Sequence, residues 1–289
     1  MNIQKTLIQT EKLLSDKKIK SARLDAEVIL AFVLGKNREW LYANPEAQIS
    51  PLKSRQFKQL ILRRAKLEPV AYIIGKKEFY GLNFKVNKNV LIPRPETEIL
   101  IETTLQEISK SYKLEPRTYF IADIGTGSGC ISVTIAKKLS FASRRKQIKI
   151  FASDISQKAL KIARLNAQKH QVAKKINFLK SDLFSNFPKN LKFNLILANL
   201  PYLSPHQITQ DLKKEPKLAL AGGKNGLKIY QRFFKQIKTH LGKNAVILIE
   251  IDPNQTNQLK KIIKKTLANY KIEIIRDLSH IDRIIKISS

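Results

Sequence analysis

"YFIADIGTGSGCISVTIAKKL", residues 119–139, passes from a near-continuous apolar run through alternating glycines into a segment whose apolar residues recur at helical spacing. Such a run reads as a strand buried on both faces, and a strand that turns through glycine straight into a helix is the first unit of a parallel α/β sheet. Gly125, Gly127 and Gly129 allow a tight turn and a close backbone approach to a ligand at the carboxyl edge of that sheet. The third glycine comes one position earlier than in the dinucleotide fingerprint, and there is no G-x-x-x-x-G-K-[ST] cradle for a triphosphate. The loop is therefore read as a nucleoside site.

Working outward, "YFIADIG" (119–125) is followed by six more candidate strands. These are "IKIFASD" (148–154), "INFLKSD" (176–182), "FNLILAN" (193–199), "AVILIEI" (245–251), "IEIIRD" (272–277) and "DRIIKIS" (282–288). Helical stretches separate the first five, as a sheet covered on both faces requires. Only "LSHI" separates the last two, which predicts that the seventh strand returns antiparallel to the sixth. Upstream, "IQKTLIQTEKLL", "RLDAEVILAFVLG" and "SRQFKQLILRRAKL" space apolar residues three and four apart, punctuated by Gly35, Pro45 and Pro69. Between the two patterns "KKEFYGLNFKVNKNVLIP" alternates around Gly81 like a hairpin. The expected organisation is a small helical domain over 1–75, a β-hairpin linker over 76–94 and a doubly wound α/β domain over 95–289.

At 289 residues, with 43% hydrophobic and 27% charged, the chain can bury a substantial core and reads as soluble and globular. No run of eighteen apolar residues occurs, and "MNIQKTLIQTEKLLSDKK" has no signal-peptide core, so a cytoplasmic location without membrane contact is expected. The single cysteine, Cys130, excludes an intramolecular disulfide and a multi-cysteine metal site, and it reads as a small packing residue. His170, His206, His240 and His280 lack ligand spacing, so no metal is expected. The formal net charge of +31 invites nucleic acid. Yet the lysines are scattered among apolar residues, as in "KKLSFASRRKQIK", "AQKHQVAKK" and "LKKIIKKTL". That fits solvated faces better than one groove, and both general lysine enrichment and a basic surface for RNA-containing surroundings stay open.

Carboxylates stand at the strand tips. Asp154 ends the second candidate strand, where it can accept hydrogen bonds from both ribose hydroxyls, and Asp182 ends the third. With Asp123 they surround the glycine loop with negative charge, which suits a cationic nucleoside and repels a pyrophosphate. S-adenosyl-L-methionine, with its sulfonium and amino groups, meets that description.

"ANLPYLSP" (198–205) follows the fourth candidate strand, and Pro201 stops that strand where Asn199 is presented at the same edge. The side-chain oxygen of Asn199 and the main-chain oxygen of Leu200 form an acceptor pair that matches the two N–H groups of a planar NH₂. An amide or exocyclic amino nitrogen is a poor nucleophile because its lone pair is delocalised. Two such bonds would orient it and stabilise positive charge developing on it. Tyr202 could stack on the planar group. Glu96 and Glu98 follow prolines at an expected helix start and read as structural.

"DIGTGSG", "ASDIS" with its following Ala-Leu, Ala and Asn positions, and N-x-P-Y together resemble class I S-adenosylmethionine-dependent methyltransferases that act on planar nitrogens. More specifically, "EPVAYIIGKKEFYGLNFKVNKNVLIPRPETEIL" (68–100) and "EPKLALAGGKNGLKIY" (215–230) resemble the HemK/PrmC family of protein-(glutamine-N5) methyltransferases, over about residue 5 to the C-terminus. The resemblance implies an α/β fold: a seven-stranded class I methyltransferase (Rossmann-like) domain, preceded by a small all-helical domain and a β-hairpin linker. It implies S-adenosyl-L-methionine as cofactor and, as partner and substrate, the glutamine of the Gly-Gly-Gln motif in class 1 peptide chain release factors. Carried over by position, Gly125, Thr126, Gly127, Ser128 and Gly129 would line the cofactor and Asp154 would hold its ribose. Asp182 and Leu183 would lie by the adenine, Asn199 through Tyr202 would hold the glutamine amide, and Asn199 would also stand beside the cofactor. Leu91 to Glu98 would cover the site from the linker side, and the helical domain would help grip the release factor.

Two positions depart from the family pattern. Leu200 stands where the first proline of Asn-Pro-Pro-Tyr is usual, which keeps the carbonyl but adds an amide that needs a partner. Leu183 stands where tryptophan is often found near adenine. Asn-Leu-Pro-Tyr is also the form seen in ribosomal RNA adenine dimethyltransferases, so an RNA or DNA adenine-N6 methyltransferase is the first alternative. "IPRPETE" and the position of the helical domain before the catalytic one speak against it. A non-catalytic S-adenosylmethionine-binding protein is the second, and Asn199, Pro201 and Tyr202 discourage it.

Overall fold

The computed structural model describes residues 1–111, 118–142 and 147–289, so part of the basic run "KKLSFASRRKQIK" lies outside the described residues. The chain divides into two compact units, Met1–Lys76 with Gln210–Lys214, and Lys77–Thr209 with Glu215–Ser289.

The first unit is helical. Its elements are α1 (Ile3–Asp16), α2 (Ala22–Leu34), α3 (Arg38–Ala43), α4 (Pro51–Ala65) and α5 (Val70–Ile74). Side-chain oxygens of Asn2, Asn37 and Ser50 accept the first free N–H groups of α1, α3 and α4, and Pro51 opens α4, where no donor is lost. Leu7, Leu14, Ile29, Leu30, Phe57 and Ile61 form its core. The carboxylate of Glu27, 2% exposed, is bonded by Arg23, Arg38 and the Tyr42 hydroxyl, so its burial is compensated.

The second unit begins in the hairpin of β1 (Lys76–Phe79) and β2 (Leu82–Lys85). Its turn residues Tyr80 (φ 51°) and Gly81 (φ 74°) are both left-handed, as a two-residue hairpin loop demands. Then come α6 (Glu98–Ser111), β3 (Thr118–Ile124), α7 (Cys130–Ala142), β4 (Gln147–Asp154), α8 (Gln157–Lys169), β5 (Ile176–Lys180), β6 (Phe193–Ala198), α9 (Lys217–Leu220), α10 (Lys228–Ile237), β7 (Leu241–Glu250), α11 (Thr256–Thr266), β8 (Lys271–Arg276) and β9 (Asp282–Ser288). Seven strands form one sheet in the order β5-β4-β3-β6-β7-β9-β8. All pairings are parallel except those of β9, which runs antiparallel to both neighbours.

The strands read as unbroken apolar runs because both faces are covered. On β7, Val246 and Leu248 face the cluster built with α6 and α7, while Ile247 and Ile249 face the cluster of Tyr230, Phe233 and Phe234 from α10 and Leu259 and Ile263 from α11. Among the described residues, no helix is long and apolar enough to cross a membrane.

The seven expected strands are all present, with three differences of extent and order. β9 returns antiparallel to β8 as expected, and it also inserts between β8 and β7. β5 stops at Lys180, where its partner β4 ends at Asp154; the Ser181 N–H makes the last ladder bond, to the Asp154 carbonyl (3.0 Å), so Asp182 stands beyond the strand end. β7 starts at Leu241, four residues early. Its pairing with β6 jumps from Phe193↔Leu241 to Leu195↔Val246, and this irregularity admits "GKN" without the apolar alternation that marks a strand.

Candidate active site

After β3 the chain builds outward to β4 and β5, then crosses back to place β6 on the other side of β3. The carboxyl ends of β3 and β6 therefore flank the topological switch point, where α/β sheets hold ligands. A cleft of about 1100 Å³, counting space open to solvent, lies there. Gly125, Gly127, Asp154, Asp182, Leu183 and Asn199 line it, as do Leu200 and Pro201. Lys88–Leu91 and Leu218–Ala219 contribute further wall.

The glycine loop is held from beneath. The Ser153 carbonyl takes the N–H groups of Gly125 (2.9 Å) and Thr126 (2.8 Å). At Gly125 (φ +79°) a Cβ would stand 3.0 Å from Leu200 Cδ2, and at Gly129 (φ +80°) it would stand 3.0 Å from the Ala163 Cβ of α8. Gly125 thus keeps the cleft open, whereas Gly129 serves close packing of the loop on a helix. Thr126 also faces inward, its hydroxyl donating to Asp123 Oδ2 (2.6 Å), and Ser128 is buried with its carbonyl accepting from Asn166 Nδ2 (2.8 Å). Of the five loop residues, Gly125 and Gly127 line the cleft, while Thr126, Ser128 and Gly129 stand behind it.

The strand-tip carboxylates take different parts. Asp123 lies fully buried under the loop; burial pushes it up to about 6, against the bonds from Thr126 and Ser132. Its Oδ1 has no hydrogen-bond partner among the described residues. Asp154 lines the cleft and accepts the N–H groups of Gly127 (2.9 Å) and Ser156 (2.8 Å); burial raises it and those two bonds pull it back. Asp182 also lines the cleft, about two-fifths exposed, and is paired at 2.5 Å with Arg232 of α10. Leu183 is buried on the cleft wall in a left-handed conformation (φ 55°).

Asn199 is oriented by its nitrogen. Nδ2 donates to Glu250 Oε2 (2.8 Å) and to the Thr97 hydroxyl (3.1 Å). Oδ1, at the other end of the amide, takes no hydrogen bond from the described residues, and neither does the Leu200 carbonyl. The Leu200 amide, the group a proline would lack, donates to the Tyr230 hydroxyl (3.4 Å), which itself donates to the Glu250 carbonyl. Tyr202 stands outside the cleft wall. Its carbonyl accepts from Gln255 (2.8 Å), its hydroxyl lies 3.5 Å from Glu250 Oε1, and burial pushes it far above the usual tyrosine range.

Glu250 is the member that the sequence reading passes over, and Thr97 enters it only within the Leu91–Glu98 cover. Glu250 closes the apolar run "AVILIE" and is 2% exposed; burial pushes it up to about 7, against the support of the Thr97 hydroxyl and with the negative charge of Glu96 adding to the rise. The signal available was an acidic residue at the end of a buried strand beside three other strand-end groups. On the linker side, the N–H of Ile92 donates to Glu215 Oε2 (3.0 Å) and Arg94 pairs with Oε1 of the same buried carboxylate. Glu215 thereby ties the 88–94 strap to the 215–219 segment, the two walls of the cleft.

Leu183, Leu218, Ile155 and Ile229 contribute apolar surface to the cleft. The polar side chains of the lining include Asp154 beside the loop, Asp182 with Arg232, and Asn199. Cys130 is buried and pushed up to about 12, so the thiol stays protonated and packs.

Residues 5–75 match the model of the PrmC N-terminal domain, and residues 118–286 match that of a methyltransferase domain. The chain is 39% identical over 272 residues to the release factor glutamine methyltransferase of Dictyoglomus turgidum, covering 92% of this chain and 91% of that protein. To the release factor glutamine methyltransferase of Clostridium botulinum it is 36% identical, with 99% of each chain covered. Among solved structures, a methyltransferase from Pyrococcus furiosus superposes with a TM-score of 0.50 at 16% identity, over 80% of this chain and 96% of that one, a likeness of fold alone.

Proposed function

Because this chain belongs to the release factor glutamine methyltransferase family, and is thereby an S-adenosylmethionine-dependent protein methyltransferase, we propose that it methylates the side-chain amide nitrogen (N5) of the glutamine in the Gly-Gly-Gln motif of class 1 peptide chain release factors. The observation that carries this reading is that Asn199 and Leu200 line a cleft beside the glycine loop while neither Asn199 Oδ1 nor the Leu200 carbonyl accepts a hydrogen bond from the described residues.

The residues lining the cleft suit the cofactor. Gly125 and Gly127 leave room for its backbone-side approach, Asp154 would take the ribose hydroxyls, and Leu183 with Leu218 would enclose the adenine. Asp182 would serve the same ring, sharing its carboxylate with Arg232. The bound cofactor supplies an electrophilic methyl group on its sulfonium. Asn199 and Leu200 would each accept one N–H of the substrate amide, holding its nitrogen in one orientation and favouring the positive charge that grows on it. One proton is released for each methyl group transferred. Tyr202, held by Gln255 and set against Glu250, would brace the mouth of this pair rather than form the cleft wall. The helical unit would supply grip on the release factor, and the enzyme would work in the cytoplasm, where its substrate is used.

The test is incubation with methyl-labelled S-adenosyl-L-methionine, a purified class 1 release factor and competing RNA. Label is expected on the Gly-Gly-Gln glutamine and absent from RNA. Label on adenine with none on protein refutes the proposal.

A further inference from the structure

We propose that Glu250 is the positioning residue of this site, holding the Asn199 side chain nitrogen-inward so that Oδ1 alone is offered to the substrate amide. The inference rests on the glutamine reading above and deepens it.

The two ends of an asparagine amide are nearly the same size, so sterics alone do not decide which faces a ligand. Turned the wrong way, Asn199 would present N–H donors to the N–H donors of the substrate, and both contacts would be lost. In the structure the choice falls to the carboxylate: Nδ2 donates to Glu250 Oε2 at 2.8 Å, and the Thr97 hydroxyl at 3.1 Å, which could donate or accept, adds a second bond in the orientation Glu250 selects. Reversal would bring Oδ1 against the carboxylate oxygen at that same short separation. With Glu250 ionised, a charge-assisted bond of this kind is roughly twice as strong as a neutral one, and the carboxylate end of it is buried.

The carboxylate also has an electronic effect. A negative charge at the nitrogen end draws the Asn199 amide toward its polar resonance form and enriches Oδ1. The added negative potential then falls where the substrate nitrogen becomes positive. Glu250 touches neither substrate nor cofactor and acts through Asn199. The charged and titratable groups that act on it are Glu96 from the linker turn, Tyr202 from the segment after β6 and Arg283 of β9, and its own charge is felt at Tyr230 of α10 and Cys130 of α7.

Four full-length proteins test this: wild type, Glu250→Gln, Thr97→Val and Thr97→Ser. With labelled cofactor and purified release factor, kcat should fall by about 10- to 100-fold in Glu250→Gln, short of the ~10²–10³-fold loss when a group touching the reacting atoms is removed. KM for the release factor should move little, and calorimetric cofactor affinity should stay near wild type. Thr97→Val should lose part of kcat and Thr97→Ser recover it, which decides the matter if Glu250→Gln does not fold.

A second readout needs no substrate. The Asn199 side-chain amide resonance in a nitrogen–proton correlation spectrum, assigned by its loss in Asn199→Ser, should shift in Glu250→Gln. Wild-type turnover with kcat unchanged in Glu250→Gln and Thr97→Val, or an unmoved resonance, overturns the positioning role. Failure of wild type to label the glutamine refutes the substrate reading instead, and the resonance still decides the Glu250–Asn199 contact.

Discussion

Replacing Glu250 by glutamine should stabilise the α/β unit at mildly alkaline pH and change it little in acid. Burial holds the Glu250 carboxyl at about 7 in the folded protein, against an ordinary value of 4.5. At ~1.4 kcal/mol for each tenfold change in proton affinity, the ionised group then costs about 3 kcal/mol of folding free energy. The sign follows from proton binding. The folded state holds this proton more tightly than the unfolded chain, so the stability it contributes is fully present below about pH 4.5 and is lost as pH rises through about 7. Glutamine keeps the shape and carries no charge, so it removes that slope. Asp123, pushed up to about 6 by burial, contributes a slope of the same sign in both proteins and cancels in the comparison.

Urea unfolding followed by circular dichroism at about pH 5 and about pH 8 should give a variant-minus-wild-type difference under about 1 kcal/mol at the first and up to about 3 kcal/mol at the second. Tryptophan fluorescence would report the wrong body, because Trp40 is the chain's one tryptophan and lies in the helical unit. Exchange of the β7 amides provides a second measure. A difference that is the same at both pH values, or a variant less stable at pH 8, would refute the reasoning, since the carboxylate would then be ionised in place at no net cost. The expected pattern is a stability–activity trade-off, with the charge that serves Asn199 weakening the unit that carries it.

Asn199→Ala should lower kcat by about 10²–10³-fold, or ~2.7–4 kcal/mol, with calorimetric cofactor affinity nearly intact, because it removes one acceptor aimed at the reacting nitrogen. A collapse of cofactor binding instead would move Asn199 to the other side of the site. Gly129→Ala should lower the melting temperature by an amount reflecting ~1–2 kcal/mol of left-handed strain, with added crowding of the new Cβ against Ala163 at 3.0 Å. Calorimetric scans showing no change would mean that the loop and α8 separate freely. Tyr230→Phe leaves the Leu200 amide and the Glu250 carbonyl without their buried partner and should destabilise by ~1–3 kcal/mol in chemical unfolding. An unperturbed variant would show that the hydroxyl is not needed there.

The fold was legible because it rests on local, repeated signals. Unbroken apolar runs, a glycine loop between strand and helix, and alternation around Gly81 each follow from burial or backbone freedom within a few residues. The differences arose where distant partners decide. β5 ends before Asp182 because its partner β4 ends at Asp154, and β7 reaches back to Leu241 because Phe193 of β6 pairs there. In the site, Gly125, Gly127, Asp154 and Asn199 could be placed from their positions at strand ends. Thr126, Ser128 and Gly129 could not be sorted from their neighbours, since which atoms of a tight loop face the ligand depends on what packs behind it. Glu250 was passed over for a related reason. A carboxylate closing an apolar strand usually reaches solvent, and only the approach of Asn199 and Thr97 from other elements turns it inward.

One half of the acceptor pair belongs to the main chain. The oxygen after Asn199 is supplied by the peptide unit whatever residue occupies position 200, and Tyr230 can take that residue's amide or do without it, since its own proton already goes to Glu250. A leucine-to-proline exchange there would alter stiffness and the fit against Gly125 while leaving the recognition chemistry in place. On the proposed reading, genetic variation at position 200 is therefore a poor guide to whether a sequence has kept its specificity, and position 199 is the informative one.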